Sequence, residues 1–199
     1  MVNFCCLFDF RFAVWTLCTL TIKCKPSPVN LSSKQHSLSI NSSTISIGLV
    51  ANPVSARDIR RVIANATSLQ VSDRANIVMC VLAAVRACGV KRVLMMPENG
   101  GIRSLLKRGL QREQKLCDNR FPELEMTDTQ ISGTVDDTFA ATQAMVDSGV
   151  KAIVVLGGDG THRAVAKVCG QVPIAGISTG TNNAFPEHRE PTITGLAVG

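Results

Sequence analysis

The chain has 199 residues, of which 45% are hydrophobic, and a formal net charge of +6. This length supports one domain with a substantial core but is short for two. No basic stripe with interleaved aromatic residues occurs, which argues against a nucleic-acid-binding protein. The eight cysteines form no C-x-x-C pair and no Cys/His cluster with zinc-ligand spacing. We therefore expect a reducing, cytoplasmic compartment, no disulfide framework and no metal-binding cluster.

The first 44 residues differ in composition from the remainder. An apolar and aromatic stretch is followed by one rich in Ser, Pro and Asn. An Asp and an Arg interrupt the apolar stretch, and neither a positive n-region nor a clear cleavage site flanks it, which disfavours a secretory signal or a membrane span. We interpret residues 1–44 as an extension, disordered in large part or preceding the true start, without stable membrane association. The folded domain is expected over residues 45–199.

Strands and helices are predicted to alternate from residue 45 onward. In chain order they are a strand (45–51), a short helix (59–66), a helix capped by Ser72 (73–88), a strand (92–96), a helix (102–110), a strand (123–130), a helix capped by Thr134 and ended by Gly149, a strand (151–156), a helix (162–168), a strand (172–177) and a helix (192–198). In the helix after Thr134, one buried stripe is predicted from Val135, Phe139, Thr142 and Val146. Strands that are apolar on both faces and alternate with helices predict an α/β fold, a mostly parallel Rossmann-like sheet with helices on both faces.

Three polar loops follow strands of this predicted sheet, at 52–58, 157–161 and 178–183. In open parallel sheets, ligands bind beyond the carboxyl ends of the strands. We therefore expect the three loops to converge on one edge of the sheet.

The most informative of these loops is Gly157-Gly-Asp-Gly-Thr161. Its glycines, Gly157, Gly158 and Gly160, let the backbone approach a polyphosphate, with the N-terminus of the next helix and Thr161 as further donors. A carboxylate beside phosphate is repulsive, so Asp159 requires a purpose, such as Mg²⁺ nearby or a hydroxyl to orient and deprotonate. The alternative interpretation is a tight turn in which Asp159 or Thr161 only caps the helix.

Two better-known phosphate motifs do not fit this loop. A Walker A loop needs Gly-Lys-Ser/Thr, whereas His162 and Arg163 follow here, and the dinucleotide fingerprint needs a third glycine where Arg163 stands. His162 has no evident catalytic partner and is expected at the surface or as a cap.

The other two loops offer weaker signals. Small hydroxyl and amide side chains surround Gly180, with Thr181 and Asn182 as candidate nucleotide contacts. In the first loop, Asn52 and Ser55 are candidate phosphate contacts. Asn, Gly and Pro are also ordinary turn residues, so a purely structural role remains open for both loops.

Together, Gly157-Gly-Asp-Gly-Thr161, Asn52-Pro-x-Ser55 and the segment 176–186 resemble the superfamily of NAD kinases, diacylglycerol kinases and sphingosine kinases. The string is most similar to the ATP-NAD kinase family, over about residues 45–199. The resemblance implies the N-terminal domain of the NAD kinase-like fold, without the second, β-rich domain. It also implies Asp159 as the base for the ribose 2′-hydroxyl of NAD, and nucleotide contacts from the glycines and Thr161, Gly180, Thr181 and Asn182.

The implied function is an ATP-dependent phosphotransferase, with ATP and Mg²⁺ as cofactors, NAD as substrate and small-molecule nucleotides as partners. Gly180-Thr-Asn-Asn183 matches neither the NAD kinase nor the lipid kinase loop, so the acceptor is open. The alternatives are a kinase of another small-molecule or lipid hydroxyl and a non-catalytic nucleotide-binding accessory protein. A homo-oligomer is compatible with the sequence, and the activity of this chain alone is open because further acceptor contacts are expected in the second domain.

Overall fold

The computed structural model of the chain describes residues 45–53, 69–115, 120–180, 183–184 and 189–199. The predicted helix over 59–66 and the extension 1–44 lie outside these residues. The elements in chain order are β1 (Ser46–Ala51), α1 (Val71–Ala87), β2 (Arg92–Met95), α2 (Ile102–Gln114), β3 (Glu123–Met126), α3 (Val135–Asp147), β4 (Ile153–Gly157), α4 (Asp159–Val168), β5 (Ile174–Ser178) and α5 (Pro191–Val198). The predicted alternation of strands and helices is confirmed.

The five strands form a single parallel sheet in the order β3-β2-β1-β4-β5. This confirms the predicted Rossmann-like α/β fold. The strand order reverses between β1 and β4, because the chain builds outward from β1 first on one side and then on the other. In doubly wound sheets the ligand crevice lies at this switch point, beyond the carboxyl ends of the two strands.

The core lies on both faces of the sheet, as the apolar strands predicted. Leu49 belongs to one buried cluster, which the apolar side chains of α1 and α2 cover. Val50, the next residue along β1, belongs to a second cluster under α3 and α4. Because side chains alternate along a strand, every residue of β1 is buried on one face or the other. The central strands are thereby held firmly, and their carboxyl ends become fixed points for the loops that follow.

The buried face of α3 agrees with the predicted stripe only in part, since Thr142 is buried and Val146 packs against the core as predicted. Its buried residues are Thr138, Ala141, Thr142 and Met145, whereas Val135 is 53% exposed. The reason lies in the sheet, where Gly48 leaves room for Met145: a Cβ on Gly48 would lie 2.8 Å from the Met145 sulfur. Packing of a large side chain over this glycine rotates the helix away from the stripe that hydrophobicity alone indicated.

Several predicted boundaries also move, including the starts of β4 and β5, which lie two residues later than predicted. Helix α1 begins at Val71 with Gln70 as its N-cap in a capping box, so Ser72 is not the cap. Strand β3 ends at Met126, paired with Met95 at the end of β2, because an edge strand cannot extend past its only neighbour. Helix α2 continues to Gln114. The predicted cap of α3 is confirmed, since the Thr134 side chain accepts the N–H of Asp136. Within the described ranges, none of the helices has the length and apolar content needed to cross a bilayer.

Candidate functional site

The glycine-rich loop after β4 is itself the first turn of helix α4. The helix begins at Asp159, with Gly158 as its N-cap, rather than at the predicted His162. The N–H groups of Thr161 and His162 both donate to the carbonyl of Gly158, at 3.0 and 3.2 Å. The first N–H groups of a helix have no partner within it, and they carry partial positive charge. Because the N–H groups of Thr161 and His162 are used within the turn, the N–H of the exposed Gly160 is the backbone donor suited to a phosphate oxygen.

The glycines of this turn serve different purposes. At Gly157 a Cβ would lie 2.7 Å from that of Thr161, so the missing side chain makes room for Thr161 to pack inward. At Gly160 a Cβ would meet nothing within 4 Å, and this exposed residue lines a crevice. Gly157 is thus required for internal packing, whereas Gly160 leaves the backbone open to close approach by a ligand.

The loop after β1 lies against this turn. The Asn52 side-chain amide donates to the Thr161 hydroxyl at 3.2 Å, and the Asn52 backbone N–H donates to the carbonyl of Leu156 in β4 at 3.2 Å. Asn52 therefore joins the ends of the two strands that flank the switch point, and its role as a nucleotide contact stays a prediction. Ser55, predicted with it, lies outside the described residues.

A buried arginine that sequence reasoning missed holds the Asn52 loop in place. Arg74, in the first turn of α1, is only 2% exposed. Its Nη1 donates to the carbonyls of Asn52, at 2.9 Å, and of Pro53, at 3.1 Å. The only signal in the sequence was position, since Arg74 lies on the same helix face as Val78 and Val81. A basic residue on a core-facing stripe indicates a buried polar contact.

The loop after β5 meets the same turn from the other side. The N–H of Thr179 donates to the carbonyl of Gly157 at 3.2 Å, and that of Ala184 donates to Asp159 Oδ2 at 2.9 Å. The side-chain amide of Asn183 donates to the Ser178 hydroxyl. The described parts of the three loops therefore meet at one edge of the sheet, as predicted.

Asn183 is a second residue that the sequence reasoning missed. Its Oδ1 lies 3.1 Å from the Cβ position of Gly158 and 2.6 Å from that of Gly180. Both glycines are therefore needed to admit the Asn183 side chain between the two loops. The predicted contacts Thr181 and Asn182 lie outside the described residues. The signal was present in the doubled Asn of Gly180-Thr-Asn-Asn183, of which only the first was chosen.

Asp159 lies at the centre of this arrangement. It is the first helical residue of α4, where the partial positive charge of the helix N-terminus favours the ionised carboxylate. The hydrogen bond from the N–H of Ala184 fixes one carboxylate oxygen. An ionised carboxylate only accepts hydrogen bonds, so it can orient and deprotonate a hydroxyl beside the backbone donors of the turn.

His162 is buried rather than at the surface, contrary to expectation. It is 9% exposed, and its Nδ1 lies 2.9 Å from the carbonyl oxygen of Gly158. The imidazole therefore packs back on the first turn of its own helix, where it supports the loop.

A crevice of about 700 Å³ opens beside the turn. Asn52, Gly160 and Thr161 line one end, and the loops that follow β2 and β3 line the other. Asp137 secures the second of these loops by accepting hydrogen bonds from the Ser132 hydroxyl at 2.6 Å and from the Gly133 N–H at 2.7 Å. These hydrogen bonds, with the Ser132 hydroxyl as the largest cause, hold the pKa of the Asp137 carboxyl below its usual value.

Comparison with known families decides the affiliation. The ATP-NAD kinase N-terminal domain matches residues 47–198, nearly the whole of the described part of the chain. The chain belongs to the ATP-NAD kinase family. It is also 61% identical over 153 residues to the protein named acetoin catabolism protein X of Cupriavidus necator. That match covers 77% of this chain but only 42% of the relative, so the chain spans less than half of the relative's length. No solved structure matches the chain.

The described site residues of this ATP-NAD kinase family member meet at the switch point between β1 and β4. Asp159, Gly160 and Thr161 form the first turn of α4, and Asn52 contacts that turn through Thr161. Gly158 and Gly180 enclose the side chain of Asn183. The geometry gives the glycines two different positions, facing the crevice or facing neighbouring loops, which the motif alone did not distinguish.

Proposed function

We propose that the protein is an ATP-dependent phosphotransferase that transfers phosphate to the ribose 2′-hydroxyl of NAD. The observation that carries the proposal is the position of Asp159. Its carboxylate lies in the same helical turn as the exposed backbone of Gly160, which lines the crevice. A base and a phosphate-binding turn in one structural unit suit a reaction that depends on positioning and charge stabilisation.

In the proposed step, the acceptor oxygen attacks the terminal phosphorus of ATP. The bond between that phosphorus and the bridging oxygen of ADP breaks as the new P–O bond forms. The acceptor's hydroxyl proton passes to Asp159. The N–H of Gly160, at the start of α4, would hold a phosphate oxygen, and Asn52 would keep Thr161 in place through the 3.2 Å hydrogen bond.

Mg²⁺ fits this donor set only in combination with the nucleotide. Among the described residues, no three His, Cys, Asp or Glu side chains group to hold a metal ion. Mg²⁺ commonly keeps several waters and binds through one or two carboxylates together with substrate phosphates. Asp159 would be the protein ligand nearest the phosphates, and a bound Mg²⁺ would neutralise phosphate charge.

The direct test is to incubate the chain with ATP, Mg²⁺ and NAD and to measure NADP. The expected result is NADP formation that requires ATP. A parallel binding measurement with ATP separates two failures. ATP binding without NADP would exclude NAD as acceptor for this chain, and absence of both would contradict the proposal as a whole.

Two alternatives have specific support. The relative that matches is named for acetoin catabolism rather than for a kinase. This supports a non-catalytic nucleotide-binding accessory protein of acetoin catabolism, for which ATP or NAD would bind without turnover. The shared part is less than half of that relative, so another small-molecule or lipid hydroxyl is the second alternative acceptor. ADP release with a panel of alcohols in place of NAD would identify it.

A further inference from the structure

The loop after β2 contains a buried carboxylate that the proposed phosphate site does not use. Glu98 is 5% exposed and lines the crevice. Its Oε1 accepts the N–H of Arg103 at 2.5 Å, and so caps helix α2. Its Oε2 is buried and has no hydrogen-bond partner among the described residues. Burying a carboxylate oxygen without a hydrogen-bond donor costs free energy. This oxygen therefore requires an explanation, such as a ligand that supplies the donor.

The distance of Glu98 from the proposed phosphate turn is compatible with the length of a nucleotide. Neighbouring strands lie about 4.8 Å apart, so the end of β2 is roughly 10 Å from the phosphate turn at the end of β4, two strands away. That separation suits a ribose whose phosphates lie on the turn. In doubly wound sheets an acidic side chain at the end of β2 can hydrogen-bond a ribose hydroxyl.

The far end of the crevice is apolar where the base of such a nucleotide would lie. Ile131 and Val135, which follow β3, line this end and are 36% and 53% exposed. Large apolar side chains that share one concave surface favour a flat, apolar ligand group. The crevice thus offers phosphate donors at one end, a carboxylate acceptor between, and an apolar surface at the other end.

We propose that Glu98 recognises the ribose of the bound nucleotide, with its second carboxylate oxygen, Oε2, accepting a hydrogen bond from a ribose hydroxyl. The proposal rests on the proposed function in that it takes the ligand to be a nucleotide. Gly100 lies over this oxygen, since a Cβ there would be 3.1 Å from Oε2. Because Gly100 has no side chain, only its backbone lies next to the oxygen. Glu98 is then a specificity-determining residue as well as a helix cap.

The variant Glu98→Gln separates the two roles. Its remaining carbonyl oxygen still accepts the N–H of Arg103, but an NH₂ donor replaces the free acceptor. The matched control is Glu190→Gln, because Glu190 also caps a helix, accepting the N–H of Ile193 at 2.7 Å, and is not among the crevice residues.

The experiment measures dissociation constants of the full chain for ATP, 2′-deoxy-ATP and 3′-deoxy-ATP. A hydrogen bond to a charged group corresponds to roughly tenfold or more in affinity, so the unaltered chain should bind at least one deoxy analogue that much more weakly. Glu98→Gln should bind ATP and that analogue within about threefold of each other, and Glu190→Gln should discriminate as the unaltered chain does. Without nucleotide, Glu98→Gln should unfold at an equal or higher temperature, because it removes a buried charge.

The outcomes distinguish this inference from the proposed function. Equal binding of ATP and both analogues by the unaltered chain overturns the role of Glu98 but leaves a nucleotide-dependent function intact. Retained discrimination in Glu98→Gln overturns it as well. Discrimination that disappears in Glu98→Gln supports it even if NADP is never formed. If no nucleotide binds, both the inference and the proposed function are wrong.

Discussion

The two sides of the sheet's carboxyl edge are built in different ways. At the ends of β1, β4 and β5, the loops bond directly to one another, as between Asn52 and Thr161 and between Ala184 and Asp159. At the ends of β2 and β3, each loop is secured by its own helix: Glu98 caps α2, and Asp137 holds residues 132–133 beside α3. The first side is the proposed phosphate site, and its mutual hydrogen bonds preorganise it. On the second side each loop is held by contacts of its own, and Glu98, the proposed specificity-determining residue, lies there.

The largest expected effect is on the preorganised side, at Asp159. Asp159→Asn should lower the rate of NADP formation about 10²- to 10⁴-fold, since the amide cannot take the proton. ATP binding should change little, because the amide oxygen can still accept the N–H of Ala184. Steady-state rates and ATP affinity check this, with Asp128→Asn at an exposed position as the control. An unchanged rate would remove Asp159 from the mechanism.

The second largest expected effect is that of adding a side chain at Gly160, where the backbone is open to the crevice. Gly160→Ala should weaken ATP binding roughly tenfold or more, because the new methyl group would occupy space that the ligand uses. The same change should stabilise the fold by up to about 1 kcal/mol, since alanine favours the helix.

Gly109→Ala in α2 is the matched control, because its Cβ would make only an ordinary 3.5 Å contact with Met79. It should give the stability gain without loss of affinity. Equal ATP binding by both variants, measured by calorimetry, would show that no ligand approaches Gly160.

The third prediction tests whether Arg74 holds the preorganised side together. Arg74→Met removes the donor to the carbonyls of Asn52 and Pro53 and should lower the free energy of unfolding by about 2–3 kcal/mol. ATP binding should weaken as well, because Asn52 would no longer be held against Thr161. Urea denaturation measures the loss, with the exposed Arg108→Met as the control. Equal stability of the two variants would contradict the inferred role.

The smallest expected effect is on the other side, at Asp137. Hydrogen bonds lower the pKa of this carboxyl in the folded state, so its contribution to stability is present above the ordinary Asp pKa. It is lost as pH falls through the lowered folded value. Asp137→Asn should therefore be less stable than the unaltered chain near pH 7, by no more than about 1 kcal/mol because the contacts are partly exposed.

Thermal unfolding between pH 7 and pH 2 would measure the difference in stability between Asp137→Asn and the unaltered chain. This difference in stability should stay constant down to about pH 5 and shrink below the ordinary Asp pKa of about 3.9. A difference that grew with falling pH would contradict the assignment of the lowered pKa to Asp137.

The fold was largely predictable because its signals are local and repeated. Residues 45–51 are apolar except for Ser46 and Gly48, which indicated a central strand buried on both faces, and β1 proved to be one. The convergence of the three loops followed from topology, since parallel strands end at the same edge. The exposure of Val135 was not predictable, because it depends on Met145 packing over Gly48, a contact between residues far apart in the sequence.

Within the candidate site, the sequence by itself determined the chemistry on offer: Asp159 as a carboxylate among glycines, and Asn52 and Gly180 in polar loops after apolar strands. Residue type and chain order suffice for this, because a strand followed by glycines and a helix fixes where backbone donors point. Only the tertiary structure decided which side chains work together. Arg74, Glu98 and Asn183 act through partners that are distant in sequence or through burial, and local pattern can mark such residues as candidates but cannot identify their contacts.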